Sequence, residues 1–374
     1  DGLIECSGRM LIVTTNDFSK IDKALLRAGR IDRIIEFDKL KSKELIQLYR
    51  FFFKTPSDNF KEVLTLLTNL VLNPYLENKE FNKEKSVVIE EIMQSYDQPD
   101  ERLFSLFLKE VWLDHFYSRT ILGEKEIVKS LLIDDLRKFH VNQYILNNIC
   151  FAFAGNLPKN ALEIFNNFEL PYTKKGNPLN KIPKYNSLIK NGKKTFKFKE
   201  IQFSRIFTAW QIPPNKDQKI LLAFEMLASI LCDGHNGKLT RPLKEDNNLV
   251  ESIYADVHAG EFGSLFIIEV SFIKENLSKI EEILEKIIEG LFIKRNISSE
   301  ELKRASRIIK CNYIFNLETP SQLTHYFGNN LLWKRKNPQL QFNKYIDHWK
   351  KVENFQKIFN YISDEQFTLI IEKI

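Results

Sequence analysis

One predicted helix constrains this chain more than any other stretch. Residues 82–92 read Asn-Lys-Glu-Lys-Ser-Val-Val-Ile-Glu-Glu-Ile, and they place Glu84 and Glu91 seven residues apart. At about 100° per residue, seven steps return almost to the same face of a helix. Val87 and Val88 lie between the two glutamates, so the sequence predicts two carboxylates in one line on a partly packed face. The alternative is that both are ordinary surface glutamates, because charged residues on helices usually face water.

Six short segments around this helix occur in an order that is more specific than any one of them. On these segments, the chain from about Ser57 onward resembles the insulinase/pitrilysin family of zinc metallopeptidases, the inverzincins, including the mitochondrial processing peptidase branch. The segments are Asn59–Leu64, Leu72–Pro74, Arg119–Gly123, Val128–Leu131, Phe139–Tyr144 and Phe153–Asn156.

This resemblance implies a fold, a cofactor and two site residues. Glu91 matches the family's third zinc ligand, and Glu84 matches a second functional glutamate seven positions earlier. The implied fold class is α+β, with two α/β-roll units that close like a clamshell on a peptide or protein substrate. Residues 57–170 would form an incomplete N-terminal unit and 195–374 a second unit. Residues 171–194, rich in proline, lysine, glycine and asparagine, are predicted to be the linker between them.

Hydrophobic periodicity and breakers give the elements of both units. In the first, we expect a helix over 58–72, a strand at Ile149–Ala154 and a helix at Pro158–Phe168. The expected core stripe of the first helix is Val63, Leu66, Leu67, Leu70 and Val71. In the second unit, strands are predicted at Phe203–Ile212, Leu249–Val257 and Ser264–Phe272, and helices at Lys219–Leu231, 276–292 and 299–317. Ser298 and Glu301 have the spacing of a capping box for the last of these helices.

The catalytic signature of the family, H-x-x-E-H, does not occur in the 374 residues, and no two of the six histidines are four apart. A catalytic zinc needs three protein ligands and an open position, and Glu91 alone cannot provide them. The sequence therefore predicts that zinc is not bound and that peptides are not cleaved. At least one of Glu84 and Glu91 is expected to pair with a lysine or arginine, or to have its pKa raised by burial. Asn247 and Glu251 stand where active family members often carry a substrate-binding arginine and tyrosine.

Residues 1–53 differ in character from the rest. An apolar run at Met10–Asn16 is typical of a buried parallel strand, and a short predicted helix follows and ends at Gly29. This segment resembles part of an AAA+ ATPase core, similar to that of mitochondrial inner-membrane chaperones. The resemblance assigns Asn16 to the sensor position, and Arg27 and Arg30 to arginines that contact a neighbouring subunit's nucleotide. The phosphate-binding loop G-x-x-x-x-G-K-[ST] is absent from the sequence, so ATP hydrolysis by this chain is not expected.

Composition restricts the partners. The chain is 43% hydrophobic and 28% charged, with a formal net charge of +6 and scattered lysines, which argues against nucleic acid as the main partner. Its four cysteines show no metal or redox spacing. No apolar run reaches membrane-spanning length, so we expect a soluble protein of the cytoplasm or an organellar matrix.

Three functional hypotheses remain open at this point. The first is an insulinase-type peptidase relative without its catalytic motif, joined to an AAA+ fragment in a chimeric chain. The second is a non-catalytic subunit that holds peptides or a catalytic homologous subunit. The third is an AAA+ ATPase with a C-terminal appendage.

Overall fold

The computed structural model describes residues 59–112, 115–170, 189–333, 335 and 338–374. The described residues from Leu64 to Ile374 form one compact unit. The predicted AAA+ fragment at 1–53, with Asn16, Arg27 and Arg30, lies outside the described residues, as does most of the predicted linker.

The described part of 59–170 is built from helices and turns. The helices are α1 (Phe60–Leu72), α2 (Asn78–Asp97), α3 (Pro99–Val111), α4 (Lys125–Ser130), α5 (Ile133–Gln143) and α6 (Ala161–Asn166). The strand predicted at Ile149–Ala154 is wrong, because these residues pair with no strand in the described part of the chain. The helix predicted at Pro158–Phe168 is present but shorter.

The core-facing stripe of α1 differs from the predicted one. Leu64, Thr68 and Leu72 are buried at intervals of four residues, and the Thr68 hydroxyl donates to the Leu64 carbonyl at 2.7 Å. Leu70 is 63% exposed. Because the threonine hydroxyl finds its acceptor within the helix, a polar residue can take a core position that the sequence pattern gave to leucines. None of Val63, Leu66, Leu67, Leu70 and Val71 is buried.

A single five-stranded sheet organises the rest. Its strands are β1 (Gly192–Phe198), β2 (Ser204–Ile212), β3 (Val250–His258), β4 (Ser264–Phe272) and β5 (Gln366–Lys373), in the order β1-β5-β2-β4-β3. Only the β1–β5 pair is parallel. The predicted strands at 203–212, 249–257 and 264–272 are confirmed to within one residue. The linker boundary is wrong at its end, since 192–194 already belong to β1.

Six α-helices of the described chain lie between β2 and β5 in the sequence. They are α7 (Gln218–Cys232), α8 (Leu277–Phe292), α9 (Ser299–Phe315), α10 (Pro320–Leu332), α11 (Pro338–Trp349) and α12 (Val352–Phe355). The predicted capping box is present: the Ser298 hydroxyl accepts from the Glu301 N–H at 3.2 Å, and the Glu301 carboxylate accepts from the Ser298 N–H at 2.8 Å. No helix in the described part of the chain is long and apolar enough to cross a membrane.

Both faces of the sheet are buried, and the strand residues alternate between two cores. Trp210 and Phe266 point into the larger core under α7, where Phe224 of that helix is fully buried. Phe207 and Phe367 point to the opposite face. This double burial explains why β2 and β4 read as almost continuous apolar runs rather than as alternating ones.

Helix α3 covers the second face of the sheet. Phe107 is fully buried there and stacks on Phe207 with ring centroids 5.0 Å apart. At the ends of α3, Asp100 pairs with Arg205 of β2 at 2.5 Å, and Glu110 pairs with Lys194 of β1. A helix from the predicted first unit therefore shares a core with the sheet of the predicted second unit. The predicted division between 57–170 and 195–374 stays a prediction, but the described residues do not contain two separate sheets.

Candidate functional site

Helix α2 carries the two glutamates that the sequence singles out. It spans Asn78–Asp97, longer than the predicted 82–92, and Ile92 is its only buried residue. Glu84 and Glu91 are both exposed, two turns apart on the helix, and Val87 between them is 47% exposed. Val88, the other valine between them, is half-buried, so this face of the helix is packed in part. Within the described ranges, neither carboxylate has a lysine or arginine partner, so the expected ion pair is absent.

Lys85, next to Glu84, anchors α2 to the following helices. Its ammonium donates to the carbonyl oxygens of Lys129 at 2.7 Å and Leu131 at 3.0 Å, at the end of α4. Residues seven apart share a face of a helix, so Lys85 lies on the same side as the buried Ile92. Sequence reasoning missed this residue, although its spacing from Ile92 was a usable signal. The contact fixes the rotation of α2 and leaves the Glu84–Glu91 line facing outward.

Helix α5 holds the chain segment that leads into α2. His140 Nε2 lies 2.8 Å from the Val71 carbonyl oxygen at the end of α1. Arg137 donates to the Leu76 carbonyl oxygen at 2.9 Å, just before α2 begins. His140 belongs to the segment Phe139–Tyr144, on which the family resemblance partly rests, and Arg137 lies two residues before it. The two contacts hold the chain between α1 and α2 in position, and so they help to position the glutamate helix.

The described residues do not fit a zinc ion at Glu84 and Glu91. No group of three or more histidine, cysteine, aspartate or glutamate side chains in the described part of the chain could hold a metal. His115 is 4% exposed, and burial lowers the pKa of its imidazole. Its Nδ1 accepts from the Tyr117 N–H at 3.2 Å. A buried, neutral imidazole held by the backbone in this way is part of a packed cluster.

Asn247 lies in the turn before strand β3, and Glu251 is the second residue of that strand. The Asn247 side-chain amide donates to the Pro242 carbonyl oxygen at 2.8 Å, and Asn248 adopts a positive φ of 48°. Lys244 donates to the Glu251 carbonyl oxygen at 2.9 Å. This turn leads into strand β3, and the Glu251 side chain is exposed. The Asn247 side chain therefore stabilises the turn, and Glu251 contributes its backbone carbonyl to the contact with Lys244.

The described residues form a protein of the α+β class, with a sheet that is covered by helices on both faces. Two family models say which family it resembles. The insulinase model (peptidase family M16) matches residues 46–125, and the model of the peptidase M16 inactive domain matches residues 130–309. The chain is thus a relative of the insulinase, or M16, peptidase family.

Similar proteins of known sequence are named as zinc proteases. An uncharacterised zinc protease of Rickettsia felis is 22% identical over 281 residues, covering 75% of this chain and 66% of the relative. The uncharacterised zinc protease YmxG of Bacillus subtilis is 23% identical over 299 residues, covering 76% and 69%. The chain thus spans about two thirds of the length of these relatives. A separate match of 74 residues, 36% identical and covering 20% of the chain, is to the probable mitochondrial chaperone BCS1-B of Dictyostelium discoideum.

Solved structures confirm the fold. A protease from Helicobacter pylori superposes with a TM-score of 0.69 at 18% identity, covering 84% of this chain and 77% of that one. Complex III2 from Candida albicans gives 0.71 at 16% identity, with 84% and 77% covered. The peptidase M16 inactive domain from Pseudomonas fluorescens gives 0.67 at 15% identity, with 85% and 76% covered.

Proposed function

We propose that this chain is an M16-type protein that does not hydrolyse peptides and acts by binding a peptide or protein. The observation that carries this is the state of helix α2. Glu91 and Glu84 match the family's glutamate positions by resemblance, yet both are exposed, and the 374 residues contain no H-x-x-E-H.

The chemistry of zinc-dependent peptide hydrolysis explains why these two carboxylates alone cannot support catalysis. A zinc ion activates water only when it is held by several protein ligands, and a general base must take the proton. In the family signature, two histidines and the base lie on one helix. A single exposed carboxylate competes poorly with water for a metal ion. The relatives named as zinc proteases imply zinc as the cofactor of the family. We do not expect Glu91 to retain zinc in this chain.

A peptidase assay tests this proposal. The purified chain is incubated with zinc and a fluorogenic peptide library, beside Glu91→Gln and a matched control, Glu163→Gln, on the exposed face of α6. We expect no hydrolysis above the buffer rate from any of the three proteins. Hydrolysis by the parent chain that disappears in Glu91→Gln and persists in Glu163→Gln would refute the proposal.

A more specific function, a non-catalytic subunit paired with a catalytic homologue, is supported by the surface of α5. Leu132, Leu136 and Phe139 form a line along this helix at spacings of four and three residues, and they are 66%, 38% and 57% exposed. Ile127 on α4 is 57% exposed as well. Clustered exposed apolar side chains are typical of surfaces that bind another protein.

Mixing experiments test this pairing. The chain is combined with an M16 zinc protease that has an intact H-x-x-E-H, and complex formation is measured by light scattering after gel filtration. We expect a complex that Phe139→Asp weakens by about tenfold or more, because a charge would be buried against apolar surface. Lys138→Asp, the neighbouring exposed residue, is the control and should change binding little. Equal effects of both variants would point to general charge repulsion instead.

The AAA+ hypothesis over 1–53 is supported by the 74-residue match to a mitochondrial chaperone alone. Asn16, Arg27 and Arg30 stay proposed nucleotide-related residues that need a phosphate-binding loop from another source. ATP hydrolysis by the isolated chain is not part of our proposal.

A further inference from the structure

A recess between helices α7, α9, α10 and α11 shares no lining residue with helix α2, which carries Glu84 and Glu91. It has a volume of about 390 Å³ and is enclosed by the starts of α7 and α11, the end of α9 and the middle of α10. This volume falls within the range of about 300–1,000 Å³ that is common for small-molecule sites. The residues that matter for its chemistry are Lys216, Glu225, Tyr313, Tyr326, Arg335 and Phe342.

One wall of the recess is aromatic. Tyr313 and Phe342 stack with ring centroids 3.8 Å apart and planes 11° from parallel. Tyr326 meets Tyr313 edge-on at 5.6 Å, and the two hydroxyl groups are hydrogen-bonded at 3.1 Å. These rings belong to three helices, and all three are partly buried. The wall is therefore a preformed surface against which a flat apolar group can pack.

Arg335 brings a cation with unused donors to the same recess. Its Nη2 donates to the carbonyl oxygen of Asn215 at 2.9 Å and to the Asn215 side-chain oxygen at 3.0 Å. Nε is buried and has no hydrogen-bond partner in the described part of the chain. Burial lowers the pKa of this guanidinium, because the cation has lost part of its hydration without a carboxylate in return. A bound anion at this position would supply the counter-charge that the guanidinium lacks.

Two further features favour an anion. Lys216 lies on the rim, immediately before α7, and the first turn of α11 also lines the recess. Helix N-termini carry partial positive charge and free N–H groups. Among the described residues that line the recess, Glu225 is the one acidic side chain, and burial first and Asp256 second raise its pKa to about 7. Below that pH the carboxyl is mostly neutral, so it does not repel an anionic ligand and can donate a hydrogen bond to it.

We propose that this recess binds a molecule that carries both a carboxylate and an aromatic ring, with the carboxylate at Arg335 and Lys216 and the ring against Tyr313 and Phe342. Two sources share this chemistry: a free aromatic acid, and the C-terminal aromatic residue of a peptide. The site is independent of Glu84 and Glu91, so it can exist whether or not the proposed function above is correct.

Calorimetry and NMR titration of the whole chain test the proposal with N-acetylphenylalanine, its neutral amide, and the peptide acetyl-Ala-Ala-Phe. We expect saturable binding of the first, and binding of the amide weaker by about tenfold, the effect of losing one charge-assisted hydrogen bond. Tighter binding of the tripeptide than of the single residue would identify a peptide C-terminus as the source. Weaker binding of the tripeptide would identify the free acid.

Variants connect the binding to the recess. Arg335→Gln should weaken binding of N-acetylphenylalanine by about tenfold. Arg307→Gln, on the exposed side of α9, removes the same charge elsewhere and should leave affinity within about twofold. Lys216→Gln is an exposed substitution that preserves folding and should weaken binding by a smaller factor of about threefold. Absence of saturable binding, equal affinity for acid and amide, or equal effects of the 335 and 307 variants would each overturn the proposal.

Discussion

The carboxylate of Asp100 on helix α3 lies 2.5 Å from Nη2 of Arg205 on strand β2. Nη1 of the same guanidinium pairs with Glu269 on β4. One arginine thus ties a helix of the N-terminal half to two neighbouring strands of the C-terminal half. The side chain of Arg205 is 19% exposed and that of Asp100 is 77% exposed, so the two ends of this contact should respond differently to substitution.

Replacing Arg205 with alanine should destabilise the protein by roughly 2–3 kcal/mol, because Glu269 would be left largely buried without a counter-charge. Asp100→Asn should cost less than about 1 kcal/mol, since an exposed ion pair contributes little. Urea denaturation followed by circular dichroism measures both values. Equal costs for the two variants would mean that the Glu269 carboxylate finds water or another partner when Arg205 is removed.

The packing of α3 on the sheet gives a second prediction. Phe107 is fully buried and stacks on Phe207, so Phe107→Ala should cost about 3–5 kcal/mol. Phe139→Ala, an exposed phenylalanine on α5, is the matched control and should cost less than about 0.5 kcal/mol. Chemical denaturation of the two variants provides the test. A small cost at Phe107 would show that α3 does not share the core of the sheet in solution.

Glu225 predicts a pH-dependent stability. Its pKa rises from 4.5 to about 7, with burial as the main cause and Asp256 as the second. The folded state therefore binds the proton more tightly than the unfolded state. The stabilisation from this proton is complete below pH 4.5 and is lost as the pH rises from 4.5 to about 7. Lys216 and Arg335 are the basic side chains that line the same recess among the described residues.

The matched variant is Glu225→Gln, which stays neutral at every pH. We expect it to be more stable than the parent by about 1 kcal/mol at pH 8 and no more stable at pH 4.5. This figure is kept below the full value of the pKa shift because the side chain still reaches water through the mouth of the recess. Thermal unfolding across this pH range measures the difference. A stability difference that does not change with pH would contradict the raised pKa.

Where the sequence predicted structure well, the reason was a strong local pattern. Strands β2, β3 and β4 were found from apolar runs bounded by turn residues, and the Ser298–Glu301 capping box from its spacing. Where the sequence prediction failed, the structure depends on a contact between residues that are far apart in the sequence. Lys85 of α2 binds carbonyls at the end of α4, and this contact, invisible to periodicity, turns Glu84 and Glu91 outward.

The recess lined by Tyr313, Tyr326 and Arg335 could not be predicted from local sequence patterns either. Tyr313, Tyr326 and Arg335 come from different elements, and no spacing in the sequence brings them together. The predicted strand at 149–154 failed for a related reason, because an apolar extended segment becomes a strand only when another strand pairs with it. The family resemblance itself was read correctly from six weak segments, since their order carries information that none holds alone.

We propose that Glu84 and Glu91, which match the family's glutamate positions by resemblance, lie here without a functioning zinc centre. Metal analysis of the purified chain, equilibrated with zinc and then desalted, tests it most directly. We predict far less than one zinc per chain, and the same content in Glu91→Gln, because a lone exposed carboxylate does not retain the ion. About one zinc per chain that is lost on replacing Glu91 would contradict the account and show that other residues complete the site.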